Sequence, residues 1–250
     1  MRVLILGGTS EARALAARTA ELPDIDAVLS LAGRTREPEP QPIATRIGGF
    51  GGIDGLCAYL QAERIERVVD ATHPFAAQIS RHGATACARL GIPLLILARE
   101  PWQKQADDNW TEVANLGEAV RALGHTPKRV FLTIGRLGLS AFARAPQHLY
   151  LVRTIDPTED LAALLPHHQL ILARGPFAVE DEERLMREAS VDVLVTKNSG
   201  GSATYAKMIA ARRLRLPAIV IMPPPRPHAP VVHDVEGALR FLSHAAPRGV

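Results

Sequence analysis

Short apolar runs alternate with alanine-rich or amphipathic segments along most of the chain. In the first hundred residues, the apolar runs predict strands at about 2–6, 27–32, 43–47, 67–71 and 93–98. The segments between them predict helices at about 10–21, 53–63 and 75–90. This alternation is typical of an α/β fold with a mainly parallel sheet that helices cover on both faces.

A second series of the same kind follows a break in the pattern between Arg99 and Asn109. Its strands are predicted at about 129–134, 148–153, 169–173, 192–196 and 217–222. Its helices are predicted at about 116–123, 137–144, 158–165, 179–189, 203–214 and 235–244. We interpret the break, which contains Pro101 and Trp102, as a crossing between two lobes, residues 1–100 and residues 101–250.

The first strand leads into a pattern that is typical of a nucleotide-binding turn. The apolar run Val3 to Leu6 ends at Gly7-Gly8, and Thr9 or Ser10 can cap the helix that follows. The free N–H groups and the positive dipole end of such a helix attract a phosphate. The dinucleotide fingerprint is incomplete, because Thr9 occupies the position of its second glycine. An ordinary capped turn between a strand and a helix is therefore the alternative interpretation.

Glycine, hydroxyl and basic residues follow almost every predicted strand. In the first half these are Gly7 to Ser10, Gly33 to Thr35, Gly48 to Gly52, Thr72 to Phe75, and Arg99 to Trp102. In the second half they are Gly135 and Arg136, Arg153 and Thr154, Arg174 to Pro176, and Thr196 to Ser202. Ligands of open α/β sheets bind at the carboxyl ends of the strands. These residues therefore predict an edge that binds anions.

Composition narrows the classes of ligand and partner. The net charge is only +3 and the aromatic content is 4%, which argues against a nucleic-acid partner. Cys57 and Cys87 share no metal-ligand spacing, so we expect buried thiols and no bound metal. Neither a run of 18 apolar residues nor the pattern of a signal peptide is present. We therefore expect a cytoplasmic protein that does not insert into a membrane.

Six motifs together resemble the precorrin-6A reductase family. They are ILGGTSEAR at the start, SLAGRT at 30–35, RIGGFGG at 46–52, DATHPFA at 70–76, REPW at 99–102 and TKNSGG at 196–201. The resemblance implies two Rossmann-like lobes, with the active site in a cleft between them. It also implies hydride transfer from NADPH to the polycarboxylate precorrin-6A, giving precorrin-6B in cobalamin biosynthesis. Hand-over contacts with neighbouring enzymes of that pathway are a further implication.

Under this resemblance the lobe 1–100 binds NADPH. Its second strand is followed by Arg34, which suits a 2′-phosphate, whereas NAD-preferring domains place an acid there. A solvated loop arginine is the alternative, and Arg13 and Arg36 are weaker candidates for the same contact. His73 is the catalytic candidate; it could instead line the nicotinamide pocket or cap a helix. The cofactor candidates are Gly7, Gly8, Thr9, Ser10, Glu11, Gly33, Arg34, Thr35, Gly49, Phe50, Gly51, Gly52, Thr72 and His73.

The lobe 101–250 is expected to bind the substrate. Arg136, Arg153, Arg174 and Lys197 follow its strands and suit carboxylates. Trp102 either covers the macrocycle or plugs the junction, and the turn 196–202 binds either substrate carboxylates or cofactor phosphates. The substrate candidates are Arg99, Trp102, Arg136, Arg174, Lys197, Ser199, Gly200, Gly201 and Thr204. The rival functions are another two-lobed NADP-dependent reductase with an acidic substrate and a non-catalytic nucleotide sensor.

Overall fold

The structure is a computed structural model that describes residues 1–33 and 40–243. The described chain forms two compact units. The first unit contains Met1–Glu100 together with the residues from Pro224 onward, because the chain comes back to it. The second unit is Pro101–Pro223. Each unit contains a six-stranded sheet in which the strand pairs are parallel. The α/β fold predicted from the alternating pattern is confirmed.

The first unit opens with five strands and three helices. The strands are β1 (Arg2–Leu6), β2 (Asp26–Leu31), β3 (Thr45–Ile47), β4 (Arg67–Asp70) and β5 (Leu94–Leu97). The helices are α1 (Ser10–Ala20), α2 (Ile53–Ala62) and α3 (Ala77–Leu90). Strand β1 lies between β2 and β4 in the middle of the sheet, which is why its apolar run is continuous.

The second unit contains six strands and four α-helices. The strands are β6 (Trp110–Val113), β7 (Arg129–Thr133), β8 (Leu149–Thr154), β9 (His168–Leu172), β10 (Val193–Lys197) and β11 (Ala218–Ile221). The α-helices are α4 (Leu116–Leu123), α5 (Leu161–Leu164), α6 (Val179–Glu188) and α7 (Ala206–Arg213). The sheet order is β6-β11-β10-β7-β8-β9.

The end of the described chain returns to the first unit. Strand β12 (Val231–Val232) pairs with β5 and completes the order β12-β5-β4-β1-β2-β3. Helix α8 (Val235–Ser243) places Leu239 and Leu242 in the core of that unit. The sequence-based division at residue 101 assigned this segment to the second lobe. Its apolar helix face instead covers the first sheet.

Two packed layers lie on opposite faces of the first sheet, as the alternation of strand side chains requires. Val3 and Ile5 pack in one core cluster with Leu15 of α1 and with α8. Leu4 and Leu6 pack in another cluster with residues of α2 and α3. Burial on both faces explains why β1 reads as an unbroken apolar run.

Three elements differ from the sequence-based prediction. Strands β6 and β12 were not predicted, because β6 is an edge strand with two exposed residues, Thr111 and Glu112, and β12 has only two residues. The segment predicted as a helix at 137–144 is a 3₁₀ helix, Arg136–Arg144. Short or half-exposed elements carry too little hydrophobic periodicity to be recognised.

The sequence predicts neither a membrane-spanning helix nor a metal site, and the described residues bear on both predictions. Within residues 1–33 and 40–243, no helix combines the length and the apolar character that a membrane span needs. The same residues contain no group of three or more potential metal-binding side chains. Cys57 and Cys87 are free thiols. Cys87 is buried as predicted, whereas Cys57 is only half-buried because part of its side chain stays accessible on α2. Burial raises the pKa of the Cys87 thiol to about 12. Cys87 is therefore an inert packing residue at neutral pH.

Candidate cofactor and substrate site

The opening turn, Gly7–Ser10, requires its two glycines for different reasons. A Cβ atom on Gly7 would lie 2.6 Å from Cδ1 of Leu29, so the packing of β1 against β2 excludes a side chain there. Gly8 has φ +123°, and a Cβ atom on it would meet nothing within 4 Å. Gly7 therefore serves the core, whereas Gly8 presents bare backbone to open space, as close approach of a ligand demands.

Thr9 explains why the glycine fingerprint is incomplete. Its Oγ1 accepts a hydrogen bond from the N–H of Ala12 at 3.1 Å and donates to the carbonyl of Ala71 at 2.8 Å. Thr9 is thus the N-cap of α1 and also ties the helix to the end of β4. The backbone N–H groups of Ser10 and Glu11 donate to no described group, so they remain available at the helix N-terminus.

Arg99 lies against the opening turn. Its Nε donates to Oε2 of Glu11 at 2.6 Å, and its second amino group donates to Oγ of Ser10 at 2.6 Å. The sequence had placed Arg99 with the substrate residues and Ser10 and Glu11 with the cofactor residues. The structure brings all three together at the first turn of α1.

Arg46 organises the second glycine-rich turn, 48–52, and was missed by sequence reasoning. Its guanidinium donates to Oγ of Ser30 at 2.8 Å and to the carbonyls of Gly48 and Gly49 at 3.0 Å each. It also lies 3.8 Å from the ring centroid of Phe50. A basic residue immediately before a glycine-rich turn was the available signal. Because the two carbonyls face Arg46, the following N–H groups point away from it.

The predicted residues Thr72 and His73 line a small pocket at the end of β4. Asp70, which is 2% exposed, accepts hydrogen bonds from the N–H of Thr72 and from the hydroxyl of Ser80. Nδ1 of His73 accepts from the N–H of Phe75 at 3.2 Å. In the neutral ring the proton therefore lies on Nε2. Arg226, from the returning C-terminal segment, lines the same pocket, which we call the His73 pocket.

The turn 198–201 in the second unit is fixed by Trp102. The Asn198 side chain forms two hydrogen bonds with the Trp102 backbone, and Nε1 of Trp102 donates to the carbonyl of Gly201 at 2.6 Å. Gly200 and Gly201 both have φ +66°. Trp102 is only 7% exposed and packs in the core of its own unit. These contacts give Trp102 a packing role in its own unit, in the sense of the second interpretation from the sequence, and its contact with the substrate stays a prediction.

Arg153 is not a cation at the rim of the site, as its position after a strand had suggested. It is 8% exposed and forms a two-bond ion pair with Glu182, which is 2% exposed. Lys207 is buried beside this pair and donates to the carbonyl of Thr204 at 2.7 Å. Burial lowers the pKa of Lys207 to about 7, with a further lowering by Arg153. Arg153 is therefore paired inside the second unit, and Lys207 anchors the carbonyl of Thr204 ahead of α7.

The remaining basic candidates lie at the carboxyl edge of the second sheet. Arg136 and Arg174 are exposed, and Lys197 is half-buried at the end of β10. Arg136 and Arg174 follow β7 and β9, and Lys197 is the last residue of β10, so their backbone positions are spread over one edge. Ser199 and Thr204 belong to the segment that leads into α7.

Three cofactor candidates cannot be placed. Arg34, Thr35 and the weaker candidate Arg36 lie outside the described residues. Gly33, the last residue before them, has φ +68°, and a Cβ atom on it would lie 2.9 Å from Cγ2 of Ile47. The end of β2 therefore packs closely against the end of β3.

Comparison with known proteins shows the family of the chain. The family model described as Precorrin-6x reductase CbiJ/CobK matches residues 2–243. The chain belongs to this family. A precorrin-6A reductase from Rhodococcus erythropolis is 52% identical over 242 residues, which cover 96% of this chain and 97% of that protein. A cobalt-precorrin-6A reductase from Priestia megaterium is 29% identical, with 96% and 97% coverage.

A solved structure extends the match to the fold of the precorrin-6x reductases. The structure titled CobK precorrin-6A reductase is 47% identical and has a TM-score of 0.92, with 100% of this chain and 99% of that chain covered. Both units of the chain are thus those of a precorrin-6x reductase. The resemblance inferred from the six motifs is confirmed, whereas the roles of individual site residues stay predictions.

Proposed function

We propose that this protein uses NADPH to reduce precorrin-6A to precorrin-6B in the cytoplasm, as a step of cobalamin biosynthesis. The observation that carries the proposal is the family match over residues 2–243, which spans both units and all three glycine-bearing turns. Hand-over of the macrocycle by contact with neighbouring pathway enzymes is part of the proposal. A reductase of this kind needs a hydride donor, and the first unit offers a place for one.

The opening turn fits a dinucleotide phosphate. Gly8 leaves space where the backbone can approach a ligand, and the N–H groups of Ser10 and Glu11 have no described acceptor. Arg99, next to Ser10, adds a positive charge that Glu11 partly balances. Gly7, Gly8, Ser10 and the turn 48–52 would hold the cofactor. When bound, NADPH supplies the hydride.

NADPH is proposed in preference to NADH because of Arg34. The chain has no acid immediately after β2, where NAD-preferring domains place one to bind the ribose hydroxyl. An arginine in that position offers two parallel N–H donors to a 2′-phosphate. Arg34 itself is outside the described residues, so this contact rests on the sequence.

His73 is proposed to line the reaction site rather than to form a bond with the substrate. Its neutral ring carries the proton on Nε2, because Nδ1 already accepts from the backbone of Phe75. Reduction of a macrocycle double bond consumes one hydride and one proton. Nε2–H is therefore a donor of the correct kind for orienting a polar group of the macrocycle. Supplying the proton would require a ring protonated on both nitrogens, and His73 would then have to give up the hydrogen bond that Nδ1 accepts from Phe75.

The second unit is proposed to bind carboxylates of the macrocycle. Arg136, Arg174 and Lys197 follow three different strands at one sheet edge, and a substrate with many carboxylates needs cations at separate positions. The turn 198–201 is fixed by Trp102 and Lys207, so its shape is set before a ligand arrives.

Metal-free precorrin-6A is proposed in preference to the cobalt complex. The relative named for the metal-free substrate is 52% identical, whereas the one named for the cobalt complex is 29% identical. A pairwise assay decides between them. We expect purified protein to oxidise NADPH when precorrin-6A is added, with a lower kcat/KM for cobalt-precorrin-6A. Binding of NADPH without turnover of either macrocycle would instead indicate a nucleotide sensor.

A further inference from the structure

Arg226 is a strongly basic side chain that lines the His73 pocket and that the sequence analysis did not assign. It lies in the run Pro223-Pro224-Pro225-Arg226-Pro227, where four prolines fix the backbone in an extended form. The returning segment carries it to the first sheet, where Arg226 and Pro227 line the pocket together with Thr72 and His73. A stiff backbone on both sides limits where this side chain can go.

Only one nitrogen of the Arg226 guanidinium forms a hydrogen bond with a described residue. One terminal amino group donates to the carbonyl of Arg99 at 3.1 Å. Its Nε and its other amino group donate to no described group, and no acidic side chain of the described chain forms an ion pair with it. Arg226 is exposed and lines the pocket.

The acid of the pocket, Asp70, forms no ion pair with Arg226. Its carboxylate instead accepts from the N–H of Thr72 at 3.0 Å and from the hydroxyl of Ser80 at 2.5 Å. The pocket therefore contains a guanidinium that forms no ion pair with a described acid, and the parallel N–H groups of a guanidinium suit an anion with two oxygens.

We propose that Arg226 forms an anion subsite of the reductase, and that it binds a carboxylate of the macrocycle next to His73. The proposal rests on the proposed function for the identity of that macrocycle. A phosphate of the cofactor has the same chemistry and is the other source of an anion. The opening turn already offers N–H groups to a phosphate, which leaves Arg226 for the substrate.

The test compares Arg226→Gln with Arg226→Lys and with the control Arg89→Gln. Arg89 is an exposed arginine of the same unit that pairs with Asp54. Two dissociation constants are measured for each protein, that of precorrin-6A by absorbance titration without cofactor and that of NADPH without macrocycle. Neither needs turnover. Circular dichroism checks that each variant is folded.

We expect Arg226→Gln to weaken precorrin-6A binding about 10-fold and to leave NADPH binding within about twofold. The affinity of Arg226→Lys for precorrin-6A should be intermediate, because lysine keeps the charge but lacks the two parallel N–H donors of the guanidinium. Arg89→Gln should bind both ligands as wild type does. Weakened NADPH binding alone would support the anion subsite but assign it to the cofactor. Unchanged binding of both ligands would overturn the subsite. Wild-type protein that binds both ligands but does not oxidise NADPH would overturn only the proposed function.

Discussion

The side-chain amide of Asn198 pairs with the backbone of Trp102 as one peptide group pairs with another. Its Oδ1 accepts from the Trp102 N–H at 2.8 Å, and its Nδ2 donates to the Trp102 carbonyl at 2.9 Å. Asn198 is fully buried. The pair ties the turn after β10 to the first residues of the second unit, and Trp102 in turn binds the carbonyl of Gly201.

Asn198→Asp is expected to destabilise the protein. The change keeps the shape of the side chain but removes the donor for the Trp102 carbonyl and introduces a buried carboxylate. We expect the free energy of unfolding to fall by about 2–4 kcal/mol in urea denaturation. Ser199→Ala, one residue along the same turn, is the control. Equal losses in the two variants would contradict the pairing argument.

Gly8→Ala is expected to impair cofactor binding more than folding. The methyl group meets no protein atom, but the φ of +123° costs a non-glycine residue about 1–3 kcal/mol. Gly124→Ala is the matched control, since Gly124 has φ +73°, open space and a position in the second unit. Both variants should lose stability. Only Gly8→Ala should raise the dissociation constant of NADPH, by at least about 10-fold in a binding titration. Normal NADPH affinity in Gly8→Ala would place the phosphates elsewhere.

Arg46→Met is expected to weaken the binding of NADPH and the binding of NADH by the same factor. Methionine can still pack on Phe50 but cannot bind the carbonyls of Gly48 and Gly49, so the turn 48–52 loses its shape. We expect about a 10-fold rise in both dissociation constants, which equals about 1.4 kcal/mol. Arg89→Met is the control. Selective loss of NADPH binding would mean that Arg46 contacts the 2′-phosphate directly.

Lys207 should make stability depend on pH. Its pKa is lowered to about 7 in the folded protein, below the value of 10.5 for a free lysine. Between these values the unfolded chain binds a proton that the folded protein lacks, so the contribution of Lys207 to stability rises with pH. Relative to Lys207→Met, the unfolding free energy of wild type should rise by about 2 kcal/mol from pH 7 to pH 9. Parallel pH curves for the two proteins would show that Lys207 has an ordinary pKa.

Structural features that depend on residues close together in the sequence could be predicted from the sequence alone. The run Val3 to Leu6, the two glycines after it and the cap predicted β1, the opening turn and α1 within a residue. The parallel sheets followed from the alternation of strands and helices. The chemistry of these local patterns is fixed by backbone geometry and by burial on both faces of a sheet.

Features that depend on distant residues could not be predicted in this way. No local pattern shows that α8 covers the first sheet, and so nothing assigned Arg226 to the His73 pocket. Arg153 looked like the other basic residues after strands, because its partner Glu182 is 29 residues away. The contacts of Arg46 with Ser30 likewise join two separate strands. Tertiary packing decides which basic side chains remain available to a ligand.

The fate of the hydride tests the central claim most directly. NADPH labelled with deuterium on one face of C4, and in a parallel reaction on the other face, is incubated with the protein and precorrin-6A. We predict that the macrocycle gains two hydrogen atoms and that one of the two labelled cofactors delivers its deuterium to it, as read by mass spectrometry of the product. Oxidation of NADPH with an unreduced macrocycle, or a reduced macrocycle unlabelled in both reactions, would contradict hydride transfer from NADPH to precorrin-6A.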